Sequence, residues 1–109
     1  MKKYSENDVV SSICDYLSYR PHYFWRQNSS GSFYAGKDGS RQFRKPPKYA
    51  VNGVPDILVL AFHTVIFVEC KTAIGVQSPA QKEFQSEVES RGYTYILARS
   101  VDDIISAGL

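Results

Sequence analysis

The sequence predicts a single α/β domain in which helices flank a mixed central sheet. Three observations lead to this prediction. Apolar residues repeat at helical spacing near the start of the chain, two apolar runs of strand length follow one another at 56–62 and 65–70, and Ser78-Pro79 opens a second helical segment. A length of 109 residues is enough for one hydrophobic core and too short for two, so we expect one domain over 1–109.

The first helix is predicted over residues 6–19. Ser5 is a favourable N-cap, and the acids Glu6 and Asp8 suit the positive end of the helix dipole. The apolar stripe consists of Val9, Val10, Ile13 and Leu17. The helix should end before Arg20-Pro21, because a residue that precedes proline is pushed out of the helical region.

An aromatic-rich strand is predicted next, at 22–28, where we expect Tyr23 and Trp25 to pack in the core. A long loop follows over 29–52, rich in glycine and basic residues, with a short hairpin through Phe33-Tyr34 and Gln42-Phe43. Loops of this length in small domains are typically functional or disordered.

The two apolar runs are predicted to form a hairpin that turns at His63-Thr64. In that register Leu58 lies opposite Glu69, and Asp56 lies opposite Lys71. Opposed residues share a face of the sheet, so Asp56, Glu69 and Lys71 should emerge together at one end of the hairpin. A loop with an odd number of residues would place Asp56 on the other face.

The chain is predicted to finish with a helix, a strand over 93–98 and a short closing helix behind Ser100. Ser78 and Gln81 form a capping box with Pro79 at the first helical position. The buried stripe of that helix is expected at Ala80, Phe84 and Val88.

The acids at the end of the hairpin need a partner if helices cover both faces of the sheet. A cross-strand ion pair between Asp56 and Lys71 would leave Glu69 unexplained, whereas a divalent cation would satisfy both acids. Two acids, one lysine and no histidine cluster favour metal-assisted hydrolysis of a phosphodiester over acyl transfer.

The charge of the chain is distributed unevenly. Residues 20–48 contain seven bases and one acid, a net charge of +6, whereas the other residues have a net charge of −4. This basic segment indicates a polyanionic partner, although a solvated insertion or a dimer arm would have the same composition. The predicted DNA contacts are Arg26, Asn28, Lys37, Arg41, Arg44, Lys45 and Lys48, with Phe33, Tyr34, Phe43 and Tyr49 as stacking aromatics.

Several classes of protein are disfavoured by the composition. The first residues lack the apolar segment of a signal peptide, and no apolar stretch reaches the roughly 20 residues of a membrane span. Cys14 and Cys70 lack zinc-site spacing, so we expect two buried free thiols in a reducing, cytoplasmic compartment.

Two short motifs resemble the PD-(D/E)XK nuclease signature, namely Pro55-Asp56 and the "ECK" of residues 69–71. Their surroundings, "GVPDILVL", "FVECKT", "SPAQKEF" and "RGYTYILARSVDDI", resemble the VRR-NUC branch in its small standalone form, as found in phages. The resemblance runs from Glu6 to about Ile104 and is weakest in the loop at 29–52.

The resemblance implies an αβββαβ core that binds Mg²⁺ or Mn²⁺ through Asp56, Glu69 and the backbone carbonyl of Cys70, with Lys71 as the catalytic lysine. Cys70 stands where the family more often has an aliphatic residue, and its side chain should point to the opposite face. Glu6 matches an acid that family members bring from the first helix, and it could equally be a first-turn glutamate. Gln81 matches an active-site glutamine and could also be only a capping residue.

The resemblance also implies a function. We expect a divalent-metal-dependent endonuclease that recognises DNA structure, acts in replication, recombination or repair, and resolves Holliday junctions as a homodimer. A flap or single-strand-junction nuclease is the alternative among enzymes. A non-catalytic nucleic-acid-binding module with a nuclease-like fold is the alternative outside them.

Overall fold

The computed structural model describes residues 4–27, 32–35, 41–44 and 47–109. In this part of the chain the elements are α1 (Glu6–Ser18), β1 (Tyr23–Arg26), β2 (Ser32–Ala35), β3 (Arg41–Arg44), β4 (Ile57–Ala61), β5 (Thr64–Cys70), α2 (Pro79–Ser90), β6 (Thr94–Ala98) and α3 (Val101–Ser106). Their order agrees with the predicted order, and the short hairpin predicted within 29–52 is formed by β2 and β3.

The strands form two sheets. The larger sheet has the order β1-β4-β5-β6, in which β5 and β6 run parallel and the other neighbours run antiparallel. The smaller sheet is the antiparallel pair β2 and β3, with Phe33 opposite Phe43 and Tyr34 opposite Gln42. The prediction of an α/β fold with a mixed central sheet is thus confirmed.

The hydrophobic core lies between one face of the larger sheet and the helices α1 and α3. The core residues on the helices are Val9, Val10, Ile13, Leu17 and Ile104, and those on the sheet are Ile57, Val59, Ala61, Ile66, Val68, Cys70 and Ala98. They are the apolar stripe of α1, alternate residues of β4 and β5, and one residue each of β6 and α3. Burial of each larger side chain contributes about 1.5–3 kcal/mol, so this face provides most of the stability of the domain.

Helix α2 packs on the opposite face, over β5 and β6. The ring of Phe67 meets the ring of Phe84 edge-on with 5.4 Å between centroids, and it meets Tyr93 at 6.3 Å. The predicted stripe of Ala80, Phe84 and Val88 is half-buried, and no residue of α2 is fully buried.

Beyond α2, several side chains on the β1 and β4 side of that face are exposed. Tyr23 is 71% exposed and Trp25 is 38% exposed, and Leu60, the partner of Tyr23 in β4, is exposed as well. The prediction that Tyr23 and Trp25 pack in the core is therefore wrong. Alternation along β1 directs Phe24 toward the core and its two aromatic neighbours away from it.

The β4–β5 hairpin has a different register from the predicted one. Ile57 pairs with Val68 and Leu58 pairs with Phe67, so the turn residues are Phe62 and His63 rather than His63 and Thr64. Both turn residues are left-handed, with φ of 55° and 61°. Such turns favour Asn-Gly, which is absent from this turn, and the β-branched Thr64 suits the strand better than the turn. The shift is an even number of residues, so each side chain keeps its predicted face.

The caps of the two longer helices are those that the sequence predicts. Ser5 and Asp8 form a capping box at α1, and Ser78 and Gln81 form one at α2. Ser100 is the N-cap of α3, but its side chain makes no capping hydrogen bond. None of the helices within the described ranges is both long enough and apolar enough to cross a membrane.

Gly53 lies directly against the first turn of α2. Its φ is 76°, and a β-carbon at this position would lie 2.4 Å from the carbonyl oxygen of Ala80. Only glycine permits both the left-handed backbone and this close approach. The segment that leads to Asp56 is thereby packed against the start of α2.

Candidate active site

Three carboxylates converge at one end of the larger sheet. Glu6 is the first residue of α1, Asp56 immediately precedes β4, and Glu69 is near the end of β5. One oxygen of each carboxylate lies within 4.8 Å of the others. These are the three acidic side chains that the sequence analysis proposed as metal ligands.

The hairpin register brings the Asp56 and Glu69 side chains together. Continuing the pairing of Ile57 with Val68 by one residue places Asp56 opposite Glu69, not opposite Lys71 as predicted. The backbone amide of Cys70 donates to Oδ2 of Asp56 at 2.8 Å, and the amide of Gln27 donates to the Asp56 carbonyl oxygen at 2.7 Å. Asp56 is therefore held by both neighbouring strands.

Glu69 is the most deeply buried carboxyl group of the site, with 1% of its surface exposed. Burial raises its pKa to about 8, and the neighbouring charge of Asp56 acts in the same direction. The Lys71 ammonium lowers this pKa, but its effect is smaller than those of burial and Asp56. Near neutral pH the Glu69 carboxyl group therefore holds a proton unless a cation replaces it.

Gln81 is the capping residue that the sequence predicts, and its side chain also contacts Glu69. Its Nε2 donates to Oε1 of Glu69 at 3.0 Å, while its Oε1 accepts from the amide of Ser78 at 2.9 Å. The backbone amide of Gln81 in turn donates to the Ser78 hydroxyl. The capping box thus fixes the side chain that contacts Glu69.

The second carboxylate oxygen of Glu69, Oε2, is buried and makes no hydrogen bond within the described residues. A buried polar atom without a partner is costly, and two ionised carboxylates offer each other only acceptors. A proton or a cation between Glu69 and Asp56 would remove this cost. The donor set, which is oxygen only, suits a hard divalent cation.

Lys71 is buried beside the acids, and its ion-pair partner is Glu6. The Lys71 ammonium nitrogen lies 3.8 Å from Oε1 of Glu6, whose side chain is about half exposed. The cross-strand pair of Asp56 and Lys71 considered from the sequence is not formed, because the register places Glu69 opposite Asp56. Glu6 is also not the acid of the capping box at α1, which is Asp8.

The Cys70 side chain points away from the acids into the core, as expected from the sequence. Desolvation raises the pKa of its thiol far above the ordinary range, so the side chain is not an ionised ligand. What Cys70 can offer to this end of the sheet is its backbone carbonyl. Cys14, the second free cysteine, is half-buried, and burial also raises the pKa of its thiol.

Arg99 contributes to the site in a way that the sequence did not predict. Its guanidinium donates to the carbonyl oxygens of Thr72 and Gly75, at 2.5 and 2.7 Å. These bonds fix the segment that follows Lys71. An arginine placed just after a strand gives no sequence signal for this role, which depends on the parallel pairing of β5 and β6.

The predicted DNA-contact residues are only partly described. Arg26 donates to the side-chain oxygen of Asn7 at 2.5 Å, at the same end of the sheet as Asp56. Lys48 is exposed, with its ammonium 5.2 Å from the ring centroid of Tyr49. Arg41 and Arg44 belong to β3, and their side chains lie outside the described part of the chain. Asn28, Lys37 and Lys45 fall outside the described residues altogether.

Five side chains from four parts of the chain thus meet at one end of the larger sheet, namely those of Glu6, Asp56, Glu69, Lys71 and Gln81. They combine an excess of negative charge with one buried ammonium and one fixed amide. No protein-family model, curated protein or solved structure matches the chain.

Proposed function

We propose that the protein is a divalent-metal-dependent endonuclease that hydrolyses phosphodiester bonds of branched DNA. One observation carries this proposal. Three carboxylates converge at one end of the sheet, one of them, Glu69, has a buried oxygen without a partner within the described residues, and a buried lysine lies beside them. Side chains with oxygen donors and an uncompensated negative charge are what Mg²⁺ or Mn²⁺ requires.

Glu6, Asp56, Glu69 and the backbone carbonyl of Cys70 are the groups that would hold the ion. When bound, a divalent ion supplies an acidified water molecule and stabilises the charge that develops on the phosphate. Asp56 is held in place for this role by the Cys70 amide, and Glu69 is held by Gln81. A site whose ligands are already fixed loses less entropy on binding an ion.

Lys71 is the residue that we assign to the reaction itself. Its ammonium is buried at the acids, and Glu6 lies at ion-pair distance. A lysine in this position orients the attacking water and neutralises charge on the scissile phosphate. Glu6, which is half exposed, can leave Lys71 when a phosphate approaches.

The substrate class follows from the charge distribution and the size of the chain. The basic segment at 20–48 suits a phosphate backbone, and a chain of 109 residues has little surface for reading bases. We propose a four-way DNA junction cut by a homodimer. Two symmetric incisions require two active sites related by a twofold axis.

Cleavage of a panel of labelled DNA substrates tests the activity. The panel contains four-way junctions, flaps, junctions of single and double strands, and plain duplex, each with Mg²⁺, Mn²⁺ or EDTA. We expect metal-dependent cleavage of four-way junctions and none in EDTA. Preferential cleavage of flaps by a monomer would support the alternative nuclease. Binding without cleavage of any substrate would identify a non-catalytic module.

Substitution of Lys71 tests the assignment of residues. Lys71→Ala should bind junctions with wild-type affinity and cut them at least about 100-fold more slowly, since removal of a positioned catalytic group typically costs that much or more. The matched control is Lys82→Ala, which removes an exposed lysine of α2 and should cut like wild type. Wild-type cleavage by Lys71→Ala would refute the assigned role.

A further inference from the structure

We propose that Tyr23 and Trp25 form a stacking platform for the unpaired nucleobases of the substrate. The platform is the open part of the larger sheet, where β1 and β4 are not covered by α2. This inference rests on the proposed function, because it places the single-stranded part of a branched substrate beside the same site. It adds that a four-way junction with unpaired nucleotides next to the scissile bond should bind more tightly than a fully paired one.

The two rings are adjacent and accessible. Their centroids are 6.2 Å apart and their planes are inclined at 57° to each other. Both side chains are exposed although large aromatic side chains are usually buried, and each leaves ring surface available to a ligand. Exposed aromatic surface of this kind is what unpaired bases stack on.

The platform continues into the carboxylate site. Trp25 pairs with Leu58, which is two residues from Asp56 on the same face of β4. Two residues after Trp25, just past the end of β1, is Gln27, whose amide donates to the Asp56 carbonyl oxygen. At a rise of about 3.3 Å per residue, the distance from Gln27 back to Tyr23 is about 13 Å. A strand of DNA with its phosphate at the acids therefore has its neighbouring nucleotides over β1.

The polar edge of Trp25 is already satisfied within the protein. Its ring N–H donates to the side-chain oxygen of Gln27 at 2.7 Å. This bond fixes the ring and removes the need for a hydrogen-bonding partner on the ligand. The π-surface of an exposed aromatic ring stacks on any of the four bases, so the platform should bind unpaired DNA with little sequence preference.

Charge favours DNA over a second copy of the chain as the occupant. Strand β1 belongs to the segment at 20–48 with a net charge of +6. Two copies of the chain would each carry this positive segment, and like charges oppose association. A polyanion with exposed bases instead complements both the charge and the aromatic surface.

Trp25 is itself the probe for the first test, because it is the only tryptophan of the chain. Oligothymidylate, a four-way junction with a single-stranded arm, and a blunt duplex of equal length are titrated in EDTA, so that cleavage plays no part. We expect the first two to quench the tryptophan fluorescence at saturation, and the duplex to leave it nearly unchanged. Equal quenching by all three, or by none, would overturn the proposal.

Two substitutions test the affinity. Tyr23→Ala and Trp25→Leu should each weaken binding of oligothymidylate roughly 5- to 150-fold and leave binding of the blunt duplex unchanged. Trp25→Phe, which retains an aromatic face, should recover most of the loss. The control is Tyr19→Ala at the end of α1, which removes a tyrosine that is 88% exposed and lies outside the platform.

The outcomes separate this proposal from the proposed function. Wild-type affinity of Tyr23→Ala and Trp25→Leu for oligothymidylate would overturn the platform even if the protein cuts junctions. Loss of affinity in these variants would support it even if no substrate is cut. Unchanged DNA binding together with a shift from dimer to monomer mass would overturn it and assign the aromatic face to a contact between copies. If Trp25→Leu does not fold, Tyr23→Ala and Trp25→Phe still decide.

Discussion

At Glu69 a carboxyl group is buried beside a second carboxyl group, that of Asp56. Burial and this neighbour raise the Glu69 pKa from its ordinary value of 4.5 to about 8. Between pH 4.5 and about pH 8, the folded protein therefore keeps a proton on Glu69 that the unfolded chain has already released. Protonation stabilises the folded state, and this contribution is complete below pH 4.5 and is lost as the pH rises to about 8.

In EDTA, we expect the free energy of unfolding to fall between pH 5 and pH 8, by an amount of the order of a few kcal/mol. Glu69→Gln removes the titrating group and should flatten this dependence. The measurement is urea denaturation at several pH values, with the exposed Glu89→Gln as control. A Glu69→Gln protein with the same pH dependence as wild type would show that another group is responsible.

The sequence identified the residues of the site better than it identified their contacts. Asp56, Glu69 and Lys71 were found from the spacing of charges in two apolar strands, and Glu6 and Gln81 from the family resemblance. The position of Asp56 opposite Lys71 was wrong, and the ion pair of Lys71 with Glu6 was not predicted, because it depends on the register and on a helix that is distant in sequence. The two roles of Gln81 are compatible because its side-chain oxygen and nitrogen bond in different directions.

At the level of secondary structure, the capping box of α2 also contacts the candidate site, because Gln81 takes part in both. Ser78→Ala removes only the cap and should lower the free energy of unfolding by about 1 kcal/mol. Gln81→Met removes the reciprocal half of the box and also leaves Oε1 of Glu69 without its donor, so it should cost 1–3 kcal/mol more, as an unsatisfied buried group does. Chemical denaturation of both variants checks this order. Equal losses would mean that the bond to Glu69 contributes nothing to stability.

The β4–β5 hairpin shows what periodicity can and cannot predict. The period of two along a strand predicts which residues share a face of the sheet, and a shift of the register by two residues leaves this prediction unchanged. The turn itself was misplaced, because Phe62 takes a left-handed conformation that a bulky aromatic residue does not favour. A contact between Phe62 and His22, with ring centroids 5.4 Å apart, is present at this turn and is invisible in a local reading of the sequence.

At the scale of the whole molecule, the extent of α2 decides what the sheet exposes. Apolar residues on both faces of β4 and β5 predicted a sheet covered on both sides. Helix α2 has only 12 residues and lies over β5 and β6, so the far half of that face stays open. The placement of a helix across a sheet depends on packing between distant segments, which is why Tyr23 and Trp25 could not be placed correctly from the sequence.

The uneven charge of the molecule predicts a salt-dependent interaction with DNA. Arg41→Ala and Arg44→Ala, which each remove one charge from the basic segment, should weaken binding of all DNA substrates alike. Each loss of a phosphate contact should reduce the slope of log K against log salt concentration by about 0.9. Arg91→Ala is the control and should leave the slope unchanged, because Arg91 is the C-cap of α2 and is ion-paired with Glu87. The measurement is fluorescence anisotropy of labelled DNA at salt concentrations between about 50 and 200 mM.

The contact of Gly53 with α2 makes the geometry of the carboxylate cluster sensitive to substitution at position 53. Even the smallest side chain at that position would clash with the Ala80 carbonyl and displace the start of α2. The amide that steadies Glu69 would move with it, while the chain carrying Asp56 would be displaced in the opposite sense. A substitution at position 53, which is not one of the proposed ligands, would thus separate the carboxylates of the cluster. A screen for inactive variants should find substitutions at this position as readily as substitutions of the acids.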